Sequence, residues 1–164
     1  MNTELIIALL IGCAILAGAF AIGIHINKKL IREGKIAKRD IDFADYASEF
    51  TSRVGSPEAV TDAVKALDYR MIGANMKGNS VRQSFQFSGS GYSATLDRID
   101  YDEPSGIAIY KFRFTQFKMN GSVPQNSISM NKLLTQIEKM FLAFDPCTGV
   151  KNYKLDFHTK HSVF

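Results

Sequence analysis

The sequence predicts an α+β protein: a single N-terminal transmembrane helix, then a small domain whose mostly antiparallel sheet packs against helices. Three observations carry this. Leu5 to Ile26 is a 22-residue run without a charged residue. Six Lys and Arg residues crowd the 12 positions from Lys28 to Arg39. Beyond them, apolar residues recur first at helical spacing, then alternate, then return to helical spacing.

At a rise of about 1.5 Å per residue, the first run spans roughly 33 Å, enough for a hydrocarbon core of about 30 Å. A cleaved signal peptide would want basic residues before a shorter apolar core, whereas Met1 to Glu4 contains no Lys or Arg. Leu10-Ile11-Gly12-Cys13 has the look of a lipobox but lies in mid-run. A core helix would carry a polar face. The run therefore reads as a signal-anchor. Lys28, Lys29, Arg32, Lys35, Lys38 and Arg39 follow it and none precedes it. Lys and Arg close to a span favour the cytoplasmic side. The expected layout is residues 1–4 outside, 5–26 in a cell (inner) membrane, 27–39 a basic juxtamembrane segment, and 40–164 a cytoplasmic domain. The basic residues also suit anionic head groups, at about 1 kcal/mol each near the surface. Ala14 and Gly18, Ala17 and Ala21, and Ala19 and Gly23 stand four apart, a spacing that lets helices approach closely.

In the domain, Phe43, Ala47, Phe50 and Val54 recur at four, three and four, which predicts an amphipathic helix ended by Gly55. Ser56-Pro57-Glu58 predicts a second helix start: a capping hydroxyl, a first-turn proline and an acid at the positive dipole end. Val60, Val64, Leu67 and Met71 give it one buried face, and Gly73 closes it. Val81–Phe87 and Tyr92–Tyr101 flank Ser88-Gly89-Ser90-Gly91 and predict a hairpin. After the turn at Asp102–Gly106, Ile107–Met119 is the third strand. There Tyr110, Phe112 and Phe114 face one way, while Lys111, Arg113 and Thr115 face the other. Met130, Leu133, Leu134, Ile137, Met140, Phe141 and Phe144 define the clearest helix, stopped by Asp145-Pro146. Tyr153, Leu155 and Phe157 alternate as a last strand. The expected order after the span is α-α-β-β-β-α-β.

The net charge of +4 is local. From Asp40 onward there are 14 basic and 14 acidic residues, so the domain itself is formally neutral. Of two cysteines, Cys13 lies in the span, leaving Cys147 alone in the domain and excluding an internal disulfide there, as suits a reducing compartment. The glycine-rich Ser88–Gly91 loop leads into no helix and lacks a phosphate-binding Lys-Ser/Thr. His158 and His161 fall on opposite faces of a strand, with no second ligand pair to complete a metal site. Cys147, His158 and Asp156 have no flanking motif of a nucleophile site. Asp97, Asp100, Asp102 and Glu103 read as a solvated turn, and Asp40, Asp42 and Asp45 as a helix N-terminal cluster. No catalytic residue, cofactor, metal or small-molecule ligand is inferred.

The order α-β-β-β-α from Ser56 to Phe144 is similar to that of double-stranded-RNA-binding domains. That family meets phosphates with a basic cluster at the start of its last helix, where Ser129-Met130-Asn131-Lys132 supplies one Lys, so nucleic acid is excluded. Glu4, the run Leu5–Ile26 and an amphipathic stretch over Phe43–Val54 before strands resemble type IV pilins and pseudopilins. That resemblance implies a surface or secretion subunit with its domain outside. The chain departs from the plan because Glu4 precedes the apolar run and a pair of late cysteines is missing. The leading expectation is a non-catalytic interaction or scaffold subunit of a membrane complex. Its partners would be the bilayer and a membrane protein or a second copy, with Lys111, Arg113 and Thr115 as the contact face. A membrane-tethered small-ligand sensor or enzyme is the remaining alternative.

Overall fold

A computed structural model describes the backbone of residues 3–156 and 159–162 and the side chains of residues 5–156. The chain divides into two compact units, Met1–Ile36 and Ala37–Phe164. The first is built on α1 (Thr3–Arg32). Its apolar side chains are exposed, Leu16 by 72% and Phe20 by 73%. Among the described residues, one helical stretch, Leu5–Arg32, is long and apolar enough to cross a membrane. Gly34 ends it with φ +66°. The Gly34 N–H donates to the Ile31 carbonyl and the Lys35 N–H to the Leu30 carbonyl, both at 2.9 Å. This 5→2 and 6→1 pair is a Schellman stop, which needs a left-handed residue and so favours glycine.

The second unit is an α+β domain, as its periodicities predict. Its elements are β1 (Tyr46–Arg53), α2 (Pro57–Lys65), α3 (Tyr69–Ile72), β2 (Ala74–Asn79), β3 (Ser84–Gly89), β4 (Tyr92–Asp102), β5 (Ile107–Asn120), β6 (Val123–Pro124), α4 (Ser127–Phe144), β7 (Gly149–Lys154) and β8 (Thr159–Ser162). The strands form one sheet in the order β2-β3-β4-β5-β1-β7, with β6 and β8 also paired to β5. Every pairing is antiparallel except β5 with β8.

Four elements differ from expectation. Phe43–Val54 is not a helix: a short 3-10 turn, Phe43–Asp45, leads into β1. Ser48, Phe50, Ser52 and Val54 are all buried, so the operative period is two. The serines concealed it because they count as polar in a pattern, yet inside the fold they find partners. Ser48 Oγ donates to Asn152 Oδ1 at 2.7 Å, and Ser52 Oγ accepts from Thr148 Oγ1 at 2.8 Å. The helix expected from Ser56 through Met71 breaks into α2 and α3. Ser56 Oγ accepts from the Ala59 N–H at 3.3 Å, and a second cap, Asp68 Oδ1, accepts from the Met71 N–H at 2.9 Å. The first hairpin strand begins at Ser84 rather than Val81, which is 87% exposed in the turn after the unforeseen β2. The strand expected over Tyr153, Leu155 and Phe157 is β7, which ends at Lys154, with Phe157 outside the described residues; the last strand is β8, whose Thr159–Ser162 pairs parallel with Gln116–Met119.

One face of the sheet carries the core. Phe50, Phe85, Phe87, Leu96, Tyr110, Phe112 and Phe114 bury against Val60 and Val64 of α2 and Met130, Leu133, Ile137 and Phe141 of α4. Phe141 stacks on Phe50 with centroids 4.8 Å apart and tilts against Tyr110 at 5.3 Å. Fully burying each such side chain stabilises by about 1.5–3 kcal/mol. Tyr110, Phe112 and Phe114 of β5 point to this side, whereas Ile107, Ile109, Lys111 and Arg113 point to the opposite face, which is mostly polar beyond the two isoleucines.

Candidate interaction surface

The strand register composes that polar face. Lys111 on β5 lies opposite Asp97 on β4 and Glu49 on β1, and Glu49 lies opposite Lys151 on β7. Four neighbouring strands therefore present one row, Asp97–Lys111–Glu49–Lys151, in which the sign of charge alternates. Asp97 accepts from Ser84 Oγ at 2.6 Å, and Lys111 Nζ lies 5.1 Å from the centroid of the Tyr153 ring. Ion pairs among the described residues join Lys29 and Lys35 to Glu33 and Arg39 to Glu138; none lies in this row. In the next row Gln86 faces Thr95 and Thr95 faces Arg113, while Ala47 faces Tyr153. Lys111 and Thr115 are half-buried and Arg113 is exposed.

Thr115 occupies a β-bulge. Ala94 pairs with Phe114 and Ser93 with Gln116, leaving Thr115 as the extra residue, and Phe117 returns to the core beyond it. Beside the bulge, Lys77, Gln86, Ser93, Thr95, Thr115 and Gln116 line a shallow depression. Thr95 Oγ1 is buried there and makes no hydrogen bond within the described residues.

The basic segment separates into two settings. Glu33 sits 2.7 Å from Lys35 and 3.9 Å from Lys29. The hydrogen bond from Lys35, with the nearby basic charges, holds its carboxyl below the usual range. Arg39 instead belongs to the domain. Its guanidinium donates to Asn131 Oδ1 at 3.0 Å and to Glu138 Oε2. The Ala37 N–H donates to Thr135 Oγ1 at 3.0 Å, and Asn131 Nδ2 donates to the Ala37 carbonyl at 2.9 Å. Residues 37–39 are thus clamped along α4 by Asn131, Thr135 and Glu138, one face of that helix. The small residues Ala14, Ala17, Gly18, Ala19, Ala21 and Gly23 all lie on α1, and a Cβ at Gly18 or Gly23 would meet nothing within 4 Å.

Other sequence candidates do not converge. Cys147 is exposed and unbridged, and its N–H donates to Asp145 Oδ1 at 2.8 Å in the turn after α4. Ser88–Gly91 joins β3 to β4. His158 and the side chain of His161 lie outside the described residues. Among the described residues no three His, Cys, Asp or Glu side chains gather as a metal site. The buried polar centre that sequence reasoning missed is Gln83. Its Nε2 donates to Thr61 Oγ1 at 2.8 Å and the Ser80 carbonyl at 2.6 Å, while Oε1 accepts from Tyr110 at 3.1 Å. Its φ of +51° was the only local sign, and sequence does not display it.

Compared with protein-family models, curated proteins and solved structures, the chain matches none.

Proposed function

We propose that this chain is a single-pass signal-anchor protein of the cell (inner) membrane, with a cytoplasmic α+β domain serving as a non-catalytic interaction subunit of a membrane complex. The observation that carries the reading is the apolar stretch Leu5–Arg32 with its Lys and Arg on the C-terminal side only. The polar sheet face, with Lys111, Arg113 and Thr115 at its centre, is the surface such a domain would offer. Gentle detergent extraction through a C-terminal tag tests this: a stoichiometric partner or a second copy is expected, and a lone monomer rejects it. The pilin-like reading loses support, because its amphipathic stalk over Phe43–Val54 is replaced by β1 and α1 stops at Arg32.

A membrane-tethered sensor of small polar ligands is the second reading, favoured by a Thr95 hydroxyl without a hydrogen-bond partner among the described residues, in a depression lined largely by amides and hydroxyls. It expects a thermal shift of the full chain with sugars or phosphorylated metabolites that vanishes in Thr95→Val. Identical melting with and without every such compound rejects it.

A further inference from the structure

The row Asp97–Lys111–Glu49–Lys151 reads minus, plus, minus, plus from β4 through β5 and β1 to β7. Reversed, it reads plus, minus, plus, minus, so it complements its own reversal. Reversal is what a two-fold axis parallel to the strands produces when two sheets stack face to face. With the axis between β5 and β1, Lys111 meets the second copy's Glu49 and Asp97 meets its Lys151, each twice. An axis along the row would instead set every charge against itself. Stacked sheets lie about 10 Å apart with strands aligned to within about 30°, close enough for long charged side chains to meet.

We propose that this sheet face is an isologous homodimer interface, two copies stacking about a two-fold axis parallel to the strands. The inference rests on the interaction-subunit reading and names its partner as a second copy of this chain. Two observations support it beyond the charge order. The four charged groups stand in neighbouring strands yet form no ion pair within 4.0 Å among the described residues. α2 and α4 pack on the other face of the sheet, and Gln86, Thr51, Arg113 and Lys151 are exposed on this one. An isologous contact requires such self-complementarity, and opposed like charges across it are strongly unfavourable.

The experiment uses full-length copies carrying two different C-terminal tags, co-expressed and extracted in mild detergent, with co-purification as readout. Wild-type copies are expected to co-purify, less so as salt shortens the Debye length from about 10 Å to about 3 Å. Glu49→Lys alone or Lys111→Glu alone should lower recovery at least about tenfold, since each sets two like-charge pairs across the axis. A Glu49→Lys copy mixed with a Lys111→Glu copy should recover wild-type association, because every contact is then opposite in sign. Within each of those copies the adjacent residues 49 and 111 carry like charges, so a role confined to one sheet predicts no recovery. Should either variant fail to fold by circular dichroism, Asp97→Lys mixed with Lys151→Glu applies the same logic to the outer pair. Association indifferent to these reversals, or failure of the mixed pairs to recover, overturns the interface. If wild-type copies stay apart while another protein co-purifies, this inference falls and the subunit reading stands; if nothing co-purifies, both fall.

Discussion

Gln83 joins α2, the β2–β3 turn and β5 through three hydrogen bonds, and holds a positive φ to do so. Gln83→Ala leaves the buried Tyr110 hydroxyl without its acceptor and should cost about 2 kcal/mol. Gln83→Gly should cost about 1 kcal/mol less than the alanine change, because glycine relieves the left-handed backbone. Thermal unfolding of the full chain in detergent compares the two, and the opposite order would contradict the role of the backbone. Thr95 makes the reverse case. Its buried hydroxyl has no hydrogen-bond partner among the described residues, so the near-isosteric Thr95→Val should stabilise by about 1 kcal/mol. A loss of stability would mean the hydroxyl is satisfied in solution. Burial also raises the ionisation of Tyr69, Tyr92 and Tyr110, the last to about 12. A raised folded-state value favours the neutral ring, so the associated stability is intact below pH 10 and lost as pH climbs through about 12. A titration of phenolate absorbance should show these rings ionising later than exposed tyrosines.

Elements were legible in sequence where apolar residues alone set the period. In α4, Met130, Leu133, Leu134, Ile137 and Phe141 are all buried, and in β5 so are Tyr110, Phe112 and Phe114. β1 escaped because two of its inward positions are serines, and β2 because it is an edge strand whose Asn75, Lys77 and Asn79 are exposed. The candidate surface was half visible for a related reason. Alternation along β5 turns Lys111, Arg113 and Thr115 away from the core, but Asp97, Glu49 and Lys151 join them only through register, which is non-local. Glu49 moreover lies in the stretch whose spacing suggested a helix. The clamp of residues 37–39 on α4 was hidden likewise, since its partners lie more than 90 residues away in sequence. Arg39 and Glu138 are 13% and 20% exposed, so their pairing is sheltered from solvent. A double-mutant cycle of Arg39→Ala and Glu138→Ala should give a coupling of about 1 kcal/mol or more. A value near zero would make Arg39 one more juxtamembrane charge. At the other turn, Gly34→Ala should loosen the Schellman stop by about 1 kcal/mol. Faster amide exchange at positions 34 and 35 would register it, with the domain's melting unchanged.

At the scale of the whole molecule, the basic excess and the neutral domain divide the work. In the proposed topology the six Lys and Arg residues between 28 and 39 set orientation, while the 14 basic and 14 acidic residues beyond leave the domain formally neutral, without a net charge that would draw nucleic acid. Replacing Lys28, Lys29, Arg32 and Lys35 together by Gln should therefore invert a measurable fraction of molecules without altering the domain's melting. The most direct measurement is the side of the membrane reached by the C-terminus, read by paired reporters fused after Phe164, one active only inside the cell and one only outside. Signal from the inside reporter alone is the expected result, with signal shifting to the outside reporter in the four-residue variant. Signal from the outside reporter in the unmodified protein would contradict it and place the charged sheet face among extracellular partners.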